Sequence, residues 1–324
     1  MSPNSELQET ALPAKSLDPT CYFLKPALCR YTITEFLRRA AIAMPTFDPS
    51  AFGDEIDRLI HAETKKWDVS GVPPDRLEHC LVTGINMAKT AYRHAPIETQ
   101  VHIALWTALC VCVDDFDPGT SAIAEFAERF HAGLEQLHPL LDLYADILRW
   151  MPKFFGPYGA AAIVTSTVQF VTSTLVDKET DTMKLHHSAR GYPLYKRNRN
   201  GVSEAYAFCI CDKVHFSDVA THIQVTPEAI AYISHANDLF SFYKEELVGE
   251  KSNYVHDRAC ITGKDLEASL MDMLEDVVDV VDRGRKILEG EKERQAWESF
   301  LAGYVAFHFI SPRYKLERLF NASD

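Results

Sequence analysis

Apolar residues recur at helical spacing along most of the chain. Segments at about 31–43, 51–67, 74–94, 98–115, 121–135, 139–150, 158–182, 201–210, 227–247, 264–288 and 291–310 each read as a helix. No convincing run of strand-like alternation stands between them. The pattern predicts an all-α fold with helices packed around a common interior. Residues 1–20, rich in Ser, Pro, Glu, Thr and Lys, predict a flexible tail. No Gly/Ser-rich linker, sustained charge run or internal repeat divides the rest, so 21–324 reads as one domain.

Two helices carry polar residues where the pattern asks for apolar ones. In Asn237-Asp238-Leu239-Phe240-Ser241-Phe242-Tyr243-Lys244-Glu245, the residues Asn237, Ser241 and Glu245 sit at i, i+4 and i+8. That spacing puts an amide, a hydroxyl and a carboxylate on one stripe rising about 12 Å. Lys244 joins the stripe at i+7. A hydrated face is the ordinary reading of such a stripe, but serine suits one poorly, because it competes with the backbone for hydrogen bonds. Three hard oxygen donors suit Mg²⁺. The second exception is an apolar run, 101–113, that leads into Asp114-Asp115-Phe116-Asp117 and stops at Pro118-Gly119. Acids at a helix C-terminus face the negative pole, at a cost of roughly 0.3–1 kcal/mol each. They also repel one another. A bound cation offsets both; the plainer reading is an exposed acidic loop.

Charge sharpens the picture. The 324-residue chain carries a net charge of -13, which argues against nucleic-acid binding. Against that background two cation clusters stand out: Lys196-Arg197-Asn198-Arg199-Asn200-Gly201 and Ser311-Pro312-Arg313-Tyr314-Lys315. Arginine's planar fork binds phosphate oxygens in pairs, and lysine acts as a point charge. Either cluster alone reads as surface charge. Beside two candidate metal motifs they suggest a phosphorylated ligand. His186-His187 lacks a third ligand at a recognisable spacing and reads as a surface pair. Eight cysteines without a C-x-x-C read as free thiols of a reducing, cytoplasmic setting. No stretch of 18 uninterrupted apolar residues occurs and no signal peptide opens the chain, so no membrane insertion is expected.

These residues resemble the two metal motifs of class I terpene cyclases, and most closely the fungal trichodiene synthase group of sesquiterpene cyclases. The group's N-D-L-x-S-F-Y-K-E is matched by Asn237–Glu245. Its Tyr-Pro stretch leading to Arg and Asn-Gly is matched by Tyr192–Gly201, and its terminal Arg-Tyr by Arg313-Tyr314. The likeness spans roughly residues 75 to 320. One departure concerns the acidic motif: the group's fuller form has an acid four residues after the first, where this chain has Pro118, with Asp117 one residue earlier. Chain-elongating prenyl synthases resemble the fold but carry two aspartate-rich motifs, and no second one is present here.

The resemblance implies a helical bundle around an apolar cavity and a Mg²⁺-dependent cyclisation of farnesyl diphosphate. It implies three Mg²⁺ ions, two on Asp114 and one on Asn237, Ser241 and Glu245, with Asp115 and Asp117 behind them. Arg197 would sense the diphosphate, while Lys244, Arg313 and Tyr314 hydrogen-bond it. Phe307 falls where the group has an active-site tryptophan. With Tyr304 one turn away it would face the carbocation, unless both are ordinary core aromatics. The carbonyl of Gly201 would face the same cation if the glycine marks a helix break; a plain turn is the alternative. The group's habit implies a homodimer. A non-catalytic isoprenoid-binding scaffold, or prenyl transfer or diphosphate hydrolysis at the same metals, are the competing expectations.

Overall fold

The computed structural model describes residues 26–67, 69, 72–180 and 182–321; the expected N-terminal tail lies outside them. Among the described residues there is no β-strand. The helices, in order, are α1 (Pro26–Arg39), α2 (Glu55–Thr64), α3 (Pro74–Ala91), α4 (Ile97–Asp115), α5 (Thr120–Ala132), α6 (Pro139–Arg149), α7 (Met151–Phe154) and α8 (Pro157–Thr180). They continue with α9 (Tyr192–Asn200), α10 (Ser203–Phe208), α11 (Thr226–Val248), α12 (Tyr254–Thr262), α13 (Leu266–Ile287), α14 (Glu291–Ile310) and α15 (Leu316–Asn321). Short 3₁₀ turns join some of them, among them Pro312–Tyr314 between α14 and α15.

Each segment predicted from periodicity is present, with shifted ends. α1 begins earlier than expected and closes at Arg39, because Ala41 adopts a left-handed φ of 54°. Periodicity misses α9 and α12, and the short α7 and α15. α9 has no apolar stripe and carries Pro193 in its first turn; α12 is fixed by its caps. The Asn253 side chain accepts the backbone N–H of His256, and Gly263 closes the far end at φ 69°.

α4 lies at the centre and is apolar nearly all round, as a helix wrapped by others must be. It packs on α3, and α3 packs on α14. Both crossings need a glycine. An ideal Cβ at Gly84 would lie 2.2 Å from the Ala104 carbonyl oxygen, and one at Gly303 the same distance from that of Thr90. These approaches draw α4 and α14 together, with α11 docked against α13 and α10.

By length and composition α4 and α8 are both apolar enough to cross a bilayer, although neither has 18 unbroken apolar residues. In α4, 72% of the apolar window is buried among its neighbours, as in any core helix; in α8 the share is 39%.

Candidate active site

Helices α3, α4, α8, α9, α10, α11 and α14, with one turn, line a cavity of about 420 Å³. α4 supplies Thr107, Cys110, Val111, Asp114 and Asp115, and α11 supplies Ile233, Asn237, Lys244 and Glu245. α14 contributes Tyr304 and Phe307, and the 3₁₀ turn after it Arg313 and Tyr314. The α9–α10 junction adds Arg197, Gly201 and Val202. Charged groups gather at one end, while Met87, Phe170, Ile233 and Phe307 are among the apolar residues of the lining. All the predicted residues line this cavity except Ser241 and Asp117.

The α11 wall is built from buried groups that hold one another. Asn237 donates its amide to Tyr314 Oη and His308 Nε2, each at 3.2 Å, and its Oδ1 accepts from Arg197 at 3.2 Å. Ser241 is buried, and its Oγ has no hydrogen-bond partner of good geometry, although its nearness pulls Glu245 toward lower pKa. Burial dominates and pushes Glu245 up to about 7. Glu245 also stands in the last turn of α11, which Gly249 closes in the left-handed conformation, so it faces the negative helix pole. Lys244 lies 4.0 Å from Glu245 and 5.6 Å from the centre of the Tyr314 ring. Burial, and then Arg313, lower its pKa.

Arg197 is anchored from behind. Its Nε donates to Asp238 Oδ1 at 2.7 Å, and Nη2 reaches the Ser234 carbonyl at 3.3 Å as well as Asn237. Both charges are nearly enclosed, with 13% and 11% of the side chains exposed. Burial raises the pKa of Asp238, with the Arg197 charge pulling against it. Gly201 owes its identity to this packing: a Cβ there would stand 2.0 Å from Arg197 Nη1. The helix break expected at Gly201 is present, between α9 and α10, and Val202 beyond it takes φ 51°, a strained value for a β-branched residue. The other cations of the cluster turn aside. Lys196 lies 3.8 Å from Asp257 and 4.0 Å from Asp177, and Arg199 bonds Gln169 on α8.

The α4 wall is more open. Asp115 forms a forked ion pair with Arg313, at 2.8 and 3.0 Å, and Asp114 is 3.5 Å from the same guanidinium. Arg313 thereby offsets the cost of two acids at the C-terminal end of α4. Burial raises the Asp114 pKa, Arg313 opposes and Asp115 adds; since 59% of its side chain is exposed, water softens the shift. Asp117, expected behind the metals, instead pairs with Lys178 at 2.6 Å and accepts the Gly119 N–H at 2.9 Å. It belongs to the loop between α4 and α5, which it ties to α8, because the chain leaves the helix at Phe116 in extended conformation.

On the floor, Phe307 packs edge-on against Tyr314 with centroids 5.5 Å apart. Tyr304 donates its hydroxyl to the Ile233 carbonyl at 3.1 Å, which makes it a strut as well as a lining residue. Burial pushes Tyr314 up to about 12, so its phenol stays protonated. Sequence reasoning left three contributors unassigned: Asp238, His308 and Glu250. Asp238 carried a signal, since it is an acid directly beside Asn237 in the motif. His308 and Glu250 carried none.

The donor set fits Mg²⁺ on α11. Ser241 Oγ is an orphaned buried polar atom, next along the stripe from an amide oxygen and a carboxylate, all hard donors. No group of three His, Cys, Asp or Glu side chains among the described residues could hold an ion. An ion here therefore needs amide, hydroxyl and ligand oxygens as well. That suits a cation shared with a phosphorylated substrate.

Comparison with known proteins shows the family. The family model described as trichodiene synthase (TRI5) matches residues 58–324. Monoterpene synthase 25 of Postia placenta is 34% identical over 331 aligned residues, covering 98% of this chain and 96% of the relative. Longiborneol synthase CLM1 of Gibberella zeae is 32% identical, covering 81% of this chain and 80% of its own. Linalool/nerolidol synthase from Streptomyces clavuligerus, solved with 2-fluorogeranyl diphosphate, superposes with a TM-score of 0.59 at 13% identity. That match covers 78% of this chain and 96% of the solved one, and it shows the shared all-α fold. With two thirds or more of the chain covered above 30% identity and a cavity joining both motifs, the protein belongs to the trichodiene synthase family and is a terpene synthase.

Proposed function

We propose that the protein ionises farnesyl diphosphate with Mg²⁺ and closes the resulting allylic cation into a cyclic C15 product. The observation that carries this reading is the single cavity in which Asp114, Asn237, Glu245, Lys244, Arg197 and Arg313 share one end with an apolar lining. Asp114 would hold Mg²⁺ on one wall, and Asn237, Ser241 and Glu245 on the other. Bound Mg²⁺, three ions by family resemblance, supplies Lewis-acid charge that favours departure of diphosphate. Arg197, Lys244, Arg313 and Tyr314 donate to the diphosphate oxygens, so charge that develops as the C–O bond breaks meets preorganised donors. Phe307, Phe170 and Ile233 keep water from the cation. The Phe307 face can add about 0.5–2 kcal/mol of cation–π attraction.

Incubation with farnesyl diphosphate and Mg²⁺, followed by gas chromatography–mass spectrometry, tests the reading. Cyclic C15 hydrocarbon or alcohol is expected. Farnesol alone would replace cyclisation with hydrolysis. A relative named as a monoterpene synthase favours one second reading, a C10 substrate. Competition between geranyl and farnesyl diphosphate decides it through their kcat/KM ratio. The family's habit adds a homodimer to the proposal, which light scattering checks. The free thiols, buried Cys80 and exposed Cys260 among them, fit a reducing, cytoplasmic setting.

A further inference from the structure

His308 is fully buried beside the polar end of the cavity, yet none of the roles above uses it. Its ring sits between two partners. Nδ1 is 2.7 Å from the Tyr304 carbonyl oxygen, and Nε2 is 3.2 Å from Asn237 Nδ2. A carbonyl only accepts, so Nδ1 carries the proton. The ring is enclosed by Phe240, Tyr304, Phe307 and Tyr314 in tilted and edge-on contacts, with centroids 4.3–4.9 Å away, and neither polar partner is a carboxylate. A neutral ring with its proton on Nδ1 leaves Nε2 as a bare acceptor.

That fixes more than the ring. An amide has two ends of nearly equal size, and only its hydrogen bonds decide which points where. Asn237 places one N–H on His308 Nε2 and the other on Tyr314 Oη, so Oδ1 is turned away from α14 toward Arg197. Oδ1 is the atom that the Mg²⁺ reading requires. A flipped amide would set its oxygen against the bare Nε2 lone pair, lose a hydrogen bond there, and present an N–H to the cation.

We propose that His308 is a positioning residue that sets the amide orientation of Asn237, holding its carbonyl oxygen toward the metal site through the Nε2 acceptor. This rests on the Mg²⁺ reading of Asn237. The acceptor is supplied from α14, one turn before the Pro312–Tyr314 segment that brings Arg313 to the opposite wall. One helix end thus serves both walls.

Two near-isosteric variants separate the two ring nitrogens. In His308→Asn, the short amide can still donate to the Tyr304 carbonyl but cannot reach Asn237. In His308→Gln, the longer side chain can place an oxygen where Nε2 stood. The readout is the Mg²⁺ midpoint for thermal stabilisation by inorganic diphosphate, measured without substrate turnover. Outer partners of metal ligands are commonly worth 10- to 100-fold in metal affinity. His308→Asn is therefore expected to raise the midpoint at least about tenfold, on the low side of that range. His308→Gln should stay within about threefold of wild type, well inside the same range. Equal midpoints in the two variants, or a better midpoint for Asn, would overturn the proposal and leave His308 a packing residue. Asn237→Ala is the control: if wild type and Asn237→Ala give the same midpoint, the metal reading of Asn237 fails, and the His308 proposal falls with it. If Asn237→Ala loses the response while both His308 variants keep it, only the His308 proposal fails.

Discussion

The two walls of the cavity are built in opposite ways. On α11, Asn237, Ser241 and Asp238 are at most partly open to water, and Asn237 and Asp238 are each tied to Arg197 or His308. On α4, Asp114 and Asp115 stand at a solvent-open helix end and are held by one guanidinium, Arg313. The first wall is a seat cross-linked by buried hydrogen bonds. The second is an ion pair that a stronger cation can replace. A site that must open to admit an isoprenoid and then exclude water benefits from one fixed and one adjustable side.

This contrast can be broken experimentally. The largest effect belongs to the fixed wall: Asn237→Ala or Glu245→Ala should cut kcat by at least about 100-fold, as loss of a preorganised charge-stabilising group does, with the helical circular dichroism unchanged. Full activity in either would remove α11 from the metal site. Asp238→Ala should act on stability instead. It leaves the Arg197 charge enclosed without its partner, and such losses run to about 3–5 kcal/mol, readable by urea unfolding. A change below about 1 kcal/mol, the range of exposed pairs, would mean that water reaches Arg197 and that the seat is not rigid.

On the adjustable wall the expected losses are smaller. Asp115→Asn frees Arg313 and should lower kcat/KM by about 10- to 100-fold, the usual cost of losing an orienting partner. Asp117→Asn should change stability by less than about 1 kcal/mol and leave turnover intact, because its pair with Lys178 is exposed. A large loss in Asp117→Asn would return that residue to the site.

A pH test sharpens the same comparison. Without metal, burial holds Glu245 near 7 against an ordinary 4.5. The folded protein therefore keeps a proton between those values that the unfolded chain releases. Its contribution to stability is greatest below about 4.5 and declines as pH rises to about 7. Glu245→Gln should remove that decline, and Mg²⁺ with diphosphate should suppress it in wild type. Parallel melting profiles for wild type and Glu245→Gln without metal would contradict it.

Much of this was legible in the residues. The i, i+4, i+8 spacing of Asn237, Ser241 and Glu245 defines a stripe on any helix, because 3.6 residues per turn is a local property. The apolar run into Asp114 and Asp115 equally announces a helix that ends in acids. α9 was not legible, since a helix without an apolar stripe is held by its neighbours rather than by its own pattern. Asp117 shows the limit at the level of one residue: its type suited a metal site, but the chain turns at Phe116 and carries it to Lys178.

The sequence by itself determined most of the helices, the two motifs and the sign of each charge, because these depend on residues within a few turns of one another. Only the tertiary structure decided which charges meet. Arg313 reaches Asp115 across 198 positions, Arg197 rests on Asp238 across 41, and His308 accepts from Asn237 across 71. The physical reason is that burial and partnership, which set the orientation of an amide and the pKa of a carboxylate, arise from packing between helices. No local pattern encodes them.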